Sequence, residues 1–532
     1  MRRWNGWGDE HIDYPLPASA MPFLLEAVGI PTPPQDARLA DVIAAVPPSR
    51  LPHSPMVSTG QLDRVLHARG QSLPDWIALR SGRIPAFPDG VAYPATNAQV
   101  RELLEYAQRA QAQVIPYGGG TSVVGHVNVL PGVAPTLTVD LRRMNRLLGL
   151  DGVSQVATFG AGVFGPDIEA QLRAHGLTLG HFPQSFELST LGGWIVTRSN
   201  GQQSLCYGRI EAMFAGGRLE APAGTMILPG FPASAAGPDL REMVLGSEGR
   251  LGVLTEASVR VRAVPEMEEL RAVFFPDFRC GQEAVREMMQ ARLPLSMLRL
   301  STGLETETTL ALAGHERLIQ LLKAWLRLRG VGGQRSMLII GLTGSEASVS
   351  LGRQQALAWA SDHGGVDVGQ LLGNEWRRSR FRTPYLRNTL WDAGYALDTL
   401  ETATHWKNIP QMVAVIEETL RTGLGDIGER VLVFSHLSHT YPSGSNVYTT
   451  YLYRIPADGD PEETLRRWRV LKTAASEAIV SAGGTITHQH GIGIDHRSYL
   501  PDEKGVLGMD ALQTLCERFD PQGIMNPGKL IA

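Results

Sequence analysis

Gln113-Val114-Ile115-Pro116-Tyr117-Gly118-Gly119-Gly120-Thr121-Ser122 is a short apolar run that ends in three glycines and two hydroxyl residues. Glycine has no Cβ, so consecutive backbone N–H groups can turn toward one anion, and Thr121 and Ser122 add donors. Such a loop is a candidate cradle for a pyrophosphate. No Gly-Lys-Ser/Thr follows, which excludes a P-loop, and the G-x-G-x-x-G opening of a dinucleotide-binding helix is missing. A triple glycine alone is more often a plain turn, but two further segments share its character. Ser189-Thr190-Leu191-Gly192-Gly193-Trp194-Ile195-Val196-Thr197-Arg198-Ser199-Asn200-Gly201 sets small and hydroxyl residues around a glycine pair. Leu245-Gly246-Ser247-Glu248-Gly249-Arg250-Leu251-Gly252-Val253-Leu254 is a second glycine turn leading into a strand pattern.

The elements around these loops alternate. Val100, Leu103, Leu104 and Ala107 recur at helical spacing and predict a helix over 99–111, just before the glycine loop. Residues 137–140 and 253–264 predict strands and 167–175 a helix, with a domain boundary at Pro265. Beyond it, helices are expected over 277–291, 411–421 and 461–482, and strands over 337–342, 430–434 and 448–454, giving a second sheet with helices on one face. The proline-rich stretch 30–58 predicts an irregular wrapping segment with one short helix over 36–45.

Composition narrows the class. A chain of 532 residues exceeds one core, so two domains with appendages are expected. A net charge of -4 without Lys/Arg blocks argues against a nucleic-acid partner. Cys206, Cys280 and Cys516 are far apart, which excludes a disulfide framework or structural zinc and suits a reducing cytoplasm. The basic start has no apolar run behind it, so no secretory signal is expected, and no stretch reaches the ~18 apolar residues of a membrane span.

The three segments, in this order and spacing, resemble the FAD-binding domain of the vanillyl-alcohol-oxidase/p-cresol-methylhydroxylase (PCMH) type. The likeness covers nearly the whole chain and is strongest toward the alkyldihydroxyacetonephosphate synthases, flavoenzymes of ether-lipid synthesis. It opens at Arg3-Trp4-Asn5-Gly6-Trp7-Gly8 and continues through Pro183 to Thr190, Tyr207-Gly208-Arg209-Ile210-Glu211 and Gly237-Pro238-Asp239. It implies an α+β fold: a two-subdomain PCMH-type FAD-binding domain plus a substrate-cap domain with a mixed or antiparallel sheet covered by helices. The expected divisions are an arm at 1–82, the FAD domain at 83–264, the cap at 265–485, and a segment at 486–532 returning to the FAD site.

The resemblance also implies site residues. FAD, bound non-covalently, would have its pyrophosphate on Pro116, Tyr117, Gly118, Gly119, Gly120, Thr121 and Ser122. Its flavin and ribityl chain would lie along Gln184, Ser185, Phe186, Glu187, Leu188, Ser189, Thr190, Thr197, Arg198, Ser199 and Asn200. Its adenine end or pyrophosphate would meet Glu248, Gly249, Arg250, Leu251, Gly252, Val253 and Leu254. Gln184 stands where the family usually has Asp, and His126 reads as a plain loop histidine.

In the second half, Arg299 matches a catalytically needed arginine and Arg387 one that binds the substrate phosphate, work suited to a forked guanidinium. Thr399 keeps a hydroxyl where the family has serine, and Glu401-Thr402 and Trp406 extend the match. Tyr448 matches the tyrosine that acts as general acid/base; a core tyrosine is the plainer alternative. Thr487-His488-Gln489-His490-Gly491 replaces the family's three successive histidines, and Ile494 replaces its lysine. Glutamine cannot take a proton near neutral pH, so either proton abstraction falls to His488, His490 or Tyr448, or the step does not occur. A metal at His488 and His490 is the other reading, because some relatives that oxidise 2-hydroxy acids use a histidine/glutamate metal site whose companion loop carries Asp-Gly-Asn with a histidine. Ser435-His436-Leu437-Ser438-His439 lacks that sequence, and no metal is expected.

Residues 317–329 are basic and amphipathic with Trp325 in the apolar set, so they could lie on a membrane surface, although a helix covering the second sheet is the plainer reading. Three functions stay open: an acyl-for-alkyl exchange on a dihydroxyacetone phosphate with the flavin as electron sink and no net redox change; an FAD-linked dehydrogenase or oxidase of a 2-hydroxy acid or other alcohol; and a flavin-binding partner subunit without turnover. The substrate is a small molecule or lipid, and the resemblance suggests a homodimer.

Overall fold

The computed structural model describes residues 2–312 and 316–531. Its first sheet runs Val57–Ser58, Gly90–Ala92, Thr136–Asp140, Gln113–Tyr117, the last three strands parallel. The helix Asn97–Arg109 makes the crossover. Thr96 caps it by accepting the Gln99 N–H at 3.2 Å, a bond that starts the helix there and satisfies an otherwise orphan donor. Its Val100, Leu103, Leu104 and Ala107 stripe packs on Val114, Leu137 and Val139. The chain returns here at its far end. The Val114 N–H donates to Ile524 O at 2.7 Å, the Asn526 N–H donates to Val114 O at 2.8 Å, and Met525 is fully buried between them in the same core.

The second sheet is antiparallel, in the order Leu147–Asp151, Val156–Gly160, Val253–Arg260, Phe214–Ala221, Gly224–Leu228. Its central strand Val253–Arg260 alternates, as predicted, with Ala257 and Val259 in the core. The strand Phe214–Ala221 has no comparable signal because Gly216-Gly217 interrupts it. A Cβ at Gly216 would lie 2.4 Å from Leu228 O and one at Gly217 2.3 Å from Glu256 O, so close approach of both neighbouring strands demands glycine there.

The third sheet has eight strands. The main path runs Val366–Asp367, Met267–Phe275, Ser336–Gly344, Met297–Ser301, Leu432–Leu437, Gly444–Arg454, Tyr395–His405, with Thr440–Tyr441 beside Gly444–Arg454, and every pair is antiparallel. Leu298, Leu300, Leu338, Ile340, Val433 and Val447 point to one face. The helices Phe278–Gln290, Glu346–Asp362 and Ile409–Thr422 bury that face. The expectation of helices on one face needs correction. Glu316–Leu328 and Leu371–Ser379 cover the outer strands on the opposite face, because Leu270, Phe274, Met297, Met337 and Ile339 are apolar there too. The other half of that face is left to the cavity described below.

Most predicted elements recur with ends moved by one to three residues; the 36–45 helix, for instance, is Leu39–Ala44. The strand Tyr395–His405 escaped the pattern because both of its faces carry polar groups, Asp398 toward Trp468 and Thr399 toward Tyr448. The arm motif Arg3–Gly8 lies on the cap: Trp7 and Asn388 exchange two hydrogen bonds at 3.0 Å, and a Cβ on Gly8 would meet the Tyr385 ring at 2.3 Å. Among the described residues no helix is long and apolar enough to cross a membrane.

The return of the C-terminal segment to the first sheet should be energetically visible. Met525→Ala is expected to lower stability by about 2–5 kcal/mol and Met525→Leu by less than about 1.5 kcal/mol in urea unfolding. Equal midpoints for wild type and Met525→Ala would contradict the burial.

Candidate active site

A cavity of about 690 Å³ lies between the loops of the first two sheets and the open face of the third. Pro116 to Ser122 form one wall. A Cβ on Gly119 would fall 1.6 Å from Leu188 O, and one on Gly118 would fall 2.2 Å from Thr190 Oγ1. The glycine loop therefore lies flat on the 188–190 segment, and any side chain would force the two apart. Gln184, Ser185, Ser189, Thr190, Thr197, Ser199 and Asn200 continue the wall, with Glu248, Gly249, Gly252 and Leu254 behind them.

The remaining expected cofactor residues do not line the cavity. Phe186 stacks on Phe381 at 5.0 Å, Leu188 packs against the cap core, and Glu187 is exposed. Arg198 turns outward to Glu242 and Glu211, and Arg250 donates to Met525 O at 2.6 Å. Leu251 and Val253 belong to the cores. Glu248 ties the C-terminal segment to this wall, its carboxylate accepting the Ile492 and Gly493 N–H groups at 2.6 and 2.8 Å. Asn200 Oδ1, Gln202 Oε1 and Asn526 Oδ1 belong to cavity-lining residues, are shut from solvent and have no hydrogen-bond partner among the described residues, while His126 Nε2 lies 3.2 Å from Glu248 Oε1. Each unmade bond costs about 1–3 kcal/mol, so three in one cavity fit a large polar ligand such as FAD.

The cap contributes the opposite wall. Strand alternation puts Arg299, Thr399, His436 and Tyr448 on the cavity side, and the register sets Tyr448 beside His436 on one neighbour and Glu401 on the other. The Tyr448 hydroxyl donates to Thr399 Oγ1 at 3.2 Å. Its ring stacks on His436 at 5.0 Å and meets His490 edge-on at 5.6 Å. Burial, reinforced by Glu401 and Asp398, pushes the phenol well above its ordinary pKa, so it is a proton donor. Burial lowers His490 despite the pull of Glu401, which keeps its imidazole neutral.

His488 departs from expectation: it does not line the cavity. Its Nε2 lies 2.6 Å from the Tyr441 hydroxyl and 3.3 Å from Arg209, and its ring stacks on His439 at 5.3 Å. Gln489 does line the cavity, with Oε1 buried and without a hydrogen-bond partner among the described residues. What orders this turn is Glu401, fully buried, which accepts the backbone N–H groups of Gln489 at 2.5 Å and His490 at 2.8 Å. Burial alone would raise its pKa, but His490, His488 and these donors hold it well below the ordinary value.

Arg299 donates to Glu305 Oε1 at 2.6 Å and to Ser301 Oγ at 2.9 Å. Arg387 donates to Gln71 O at 2.5 Å and its guanidinium lies 4.5 Å from the Trp76 ring centroid. Its Nε and second terminal nitrogen have no partner, and it pairs with no carboxylate among the described residues. Burial lowers its pKa, and Asp398 and Asp75 only partly oppose this; an arginine nevertheless stays charged. Glu305, His436, His439, Arg209 and Trp76 were not assigned roles from the sequence. Period-two spacing from Thr399 could have flagged Glu401, whereas the others meet the site only through tertiary contacts. Among the described residues no cluster of His, Cys, Asp or Glu suits a metal ion.

Residues 264–530 match the family of FAD-linked oxidases, C-terminal domain, and residues 88–228 match the FAD-binding domain family. The chain belongs to this family of FAD-linked enzymes. It is 29% identical to alkyldihydroxyacetonephosphate synthase of Dictyostelium discoideum, over 99% of this chain and 93% of that one. Against the synthase of Trypanosoma brucei brucei the identity is 30%, over 88% and 77%. A solved structure of an alkyldihydroxyacetonephosphate synthase superposes with a TM-score of 0.84 at 27% identity, covering 99% of this chain and 98% of that one. FAD is the cofactor, and the enzyme resembles that synthase in sequence and fold.

Glu305 gives a pH signature. Burial would raise its pKa, but Arg299 and His436 bring it from 4.5 down to about 2. A depressed carboxylate stabilises the fold fully above its unfolded pKa and loses that contribution as pH falls through the folded one. The difference in urea midpoint between wild type and Glu305→Gln should be widest near neutrality and narrow steadily between 4.5 and 2. A gap independent of pH would refute the pairing.

Proposed function

We propose that this enzyme exchanges the acyl group of an acyl-dihydroxyacetone phosphate for a fatty alcohol, forming an ether lipid precursor. The observation that carries this reading is Arg387, an enclosed guanidinium with unmade hydrogen bonds and, among the described residues, no carboxylate partner, as an anion-binding residue requires. A phosphate would supply both the missing charge and the missing acceptors. Met297, Leu310, Met337, Ile339 and Leu372 offer an apolar channel for the chain. Bound FAD, held non-covalently, would supply an electron sink for the reaction. Tyr448 keeps its proton for the acyl oxygen as the acyl group departs as a fatty acid, Thr399 orients its hydroxyl, and His490 lies within reach of the same space. Arg299 orders this wall of the site through Glu305. The divisions 1–82, 83–264, 265–485 and 486–532 follow from this use of the chain, with the last segment supplying His490. A homodimer is the assembly the family likeness supports, and the dispersed cysteines suit a reducing cytoplasm.

Anaerobic incubation of the FAD-loaded enzyme with palmitoyl-dihydroxyacetone phosphate and hexadecanol is expected to release palmitate and form the ether. Gln489 favours a second reading, an FAD-linked dehydrogenase of a 2-hydroxy acid, whose carboxylate would take Arg387. Bleaching of the flavin band by a 2-hydroxy acid, with no ether formed, would select it. Under either reading Arg387→Met should weaken the anionic substrate roughly 100-fold or more, since two charge-assisted hydrogen bonds contribute about 1.5–3 kcal/mol each. Unchanged KM and unchanged affinity for glycerol phosphate would remove Arg387 from the site.

The helix Glu316–Leu328 supports peripheral membrane contact. Leu326 is buried in the cap core and Ile319 and Leu322 pack against it, yet Leu318, Leu321, Trp325 and Leu328 form a second, exposed stripe beside Arg317, Arg327 and Arg329. Such a stripe suits the interface of an anionic bilayer. Wild type should co-sediment with vesicles containing phosphatidylserine, and the pair Leu321→Glu and Trp325→Glu should not, with the thermal melt preserved. Failure of the wild type to bind would end this reading.

A further inference from the structure

With glutamine at 489, the site needs another group to accept a proton from substrate carbon. His490 lines the cavity, but its Nδ1 is 3.8 Å from Glu401 Oε1, beyond a hydrogen bond, and that oxygen already serves the Gln489 and His490 N–H groups. His488 faces Tyr441 and Arg209. His436 is arranged differently. It lines the cavity, stacks in parallel on Tyr448, and sets Nδ1 3.0 Å from Glu305 Oε1.

That contact fixes the tautomer. Two lone pairs cannot sit 3.0 Å apart inside a protein without repulsion, so the proton is on Nδ1 and is given to the Glu305 carboxylate. Arg299 approaches the same nitrogen at 3.2 Å and would ask for a lone pair there, but that guanidinium nitrogen makes its shorter bond, 2.6 Å, to Glu305, so the carboxylate decides where the proton sits. Nε2, across the ring, is then the lone-pair nitrogen. Burial and the adjacent Arg299 keep the ring neutral while Glu305 stays ionised, which is the resting state a base requires.

We propose that His436 is the general base of this enzyme, with Glu305 as its positioning residue. This rests on the reading of the substrate as a dihydroxyacetone phosphate ester. The C–H bond beside the substrate carbonyl breaks, and its proton passes to His436 Nε2. The electron pair stays on the substrate, delocalised onto the carbonyl oxygen. The imidazolium so formed is balanced by the carboxylate of Glu305. Tyr448, stacked against the same ring, is left free to serve the departing acyl oxygen.

The test follows the exchange of the substrate C1 hydrogen in D2O by mass spectrometry, using FAD-loaded enzyme and palmitoyl-dihydroxyacetone phosphate, alongside ether formation. In His436→Asn the amide nitrogen can still donate to Glu305, but no base remains. Exchange and turnover should both fall on the order of 10²–10⁴-fold, with flavin content and glycerol phosphate affinity unchanged. In His436→Ala, added imidazole should restore exchange, and in Glu305→Gln exchange should fall with KM preserved. Exchange in His436→Asn within about threefold of wild type, or loss confined to His490→Asn, would overturn the assignment while leaving the ether-forming reading intact. A wild type that neither exchanges nor forms ether would overturn both.

Discussion

A single buried carboxylate organises the reacting end of the cavity. Glu401 sits in the strand Tyr395–His405, across from Tyr448, buried away from the surface. An ionised carboxylate in such a place is tolerable only if donors surround it. The donors are the backbone N–H groups of Gln489 and His490, so the cap sheet and the C-terminal turn are held together by the need to satisfy one charge. Glu248 does the same on the opposite side, accepting Ile492 and Gly493 from the FAD-binding half. The turn 488–493 is thereby fixed from two directions, and His490 and Gln489 are aimed inward while His488 is turned out.

The cavity as a whole is a set of interactions left incomplete. Arg387 rests on Trp76 and gives one hydrogen bond to Gln71 O, which holds the guanidinium in place without neutralising it. Trp76 in turn donates to Gln71 Oε1, and Gln71 Nε2 donates to Gly6 O, so the N-terminal arm stabilises the position of the cation. The conformation that presents an unpaired charge is thus preorganised by neutral groups, and an anionic ligand gains the full electrostatic benefit on arrival.

Arg299 and Arg387 illustrate how the same residue type takes opposite roles. Arg299 is paired with Glu305, close to His436, and its charge is spent on ordering a neighbour. Arg387 has no carboxylate partner among the described residues and is available to a ligand. Nothing local separates them: each is an arginine in a mixed polar and apolar stretch.

Local chemistry in the sequence determined a good deal. Three consecutive glycines before Thr121 and Ser122 announce a loop that other backbone must approach closely, and Leu188 O beneath Gly119 is that backbone. The apolar stripe of Asn97–Arg109 and the alternation of Val253–Arg260 predict their elements because each buries one face. Only the tertiary structure decided which polar residues meet. His-x-His spacing says nothing of direction within a turn, and the turn's shape comes from Glu401 and Glu248, about 90 and 240 residues away in sequence. The pairing of His436 with Glu305 likewise arises across strands and a helix brought together by packing. Period and turn chemistry act over a few residues and are legible in order; charge satisfaction and burial act through space, and become legible only when the chain has closed on itself.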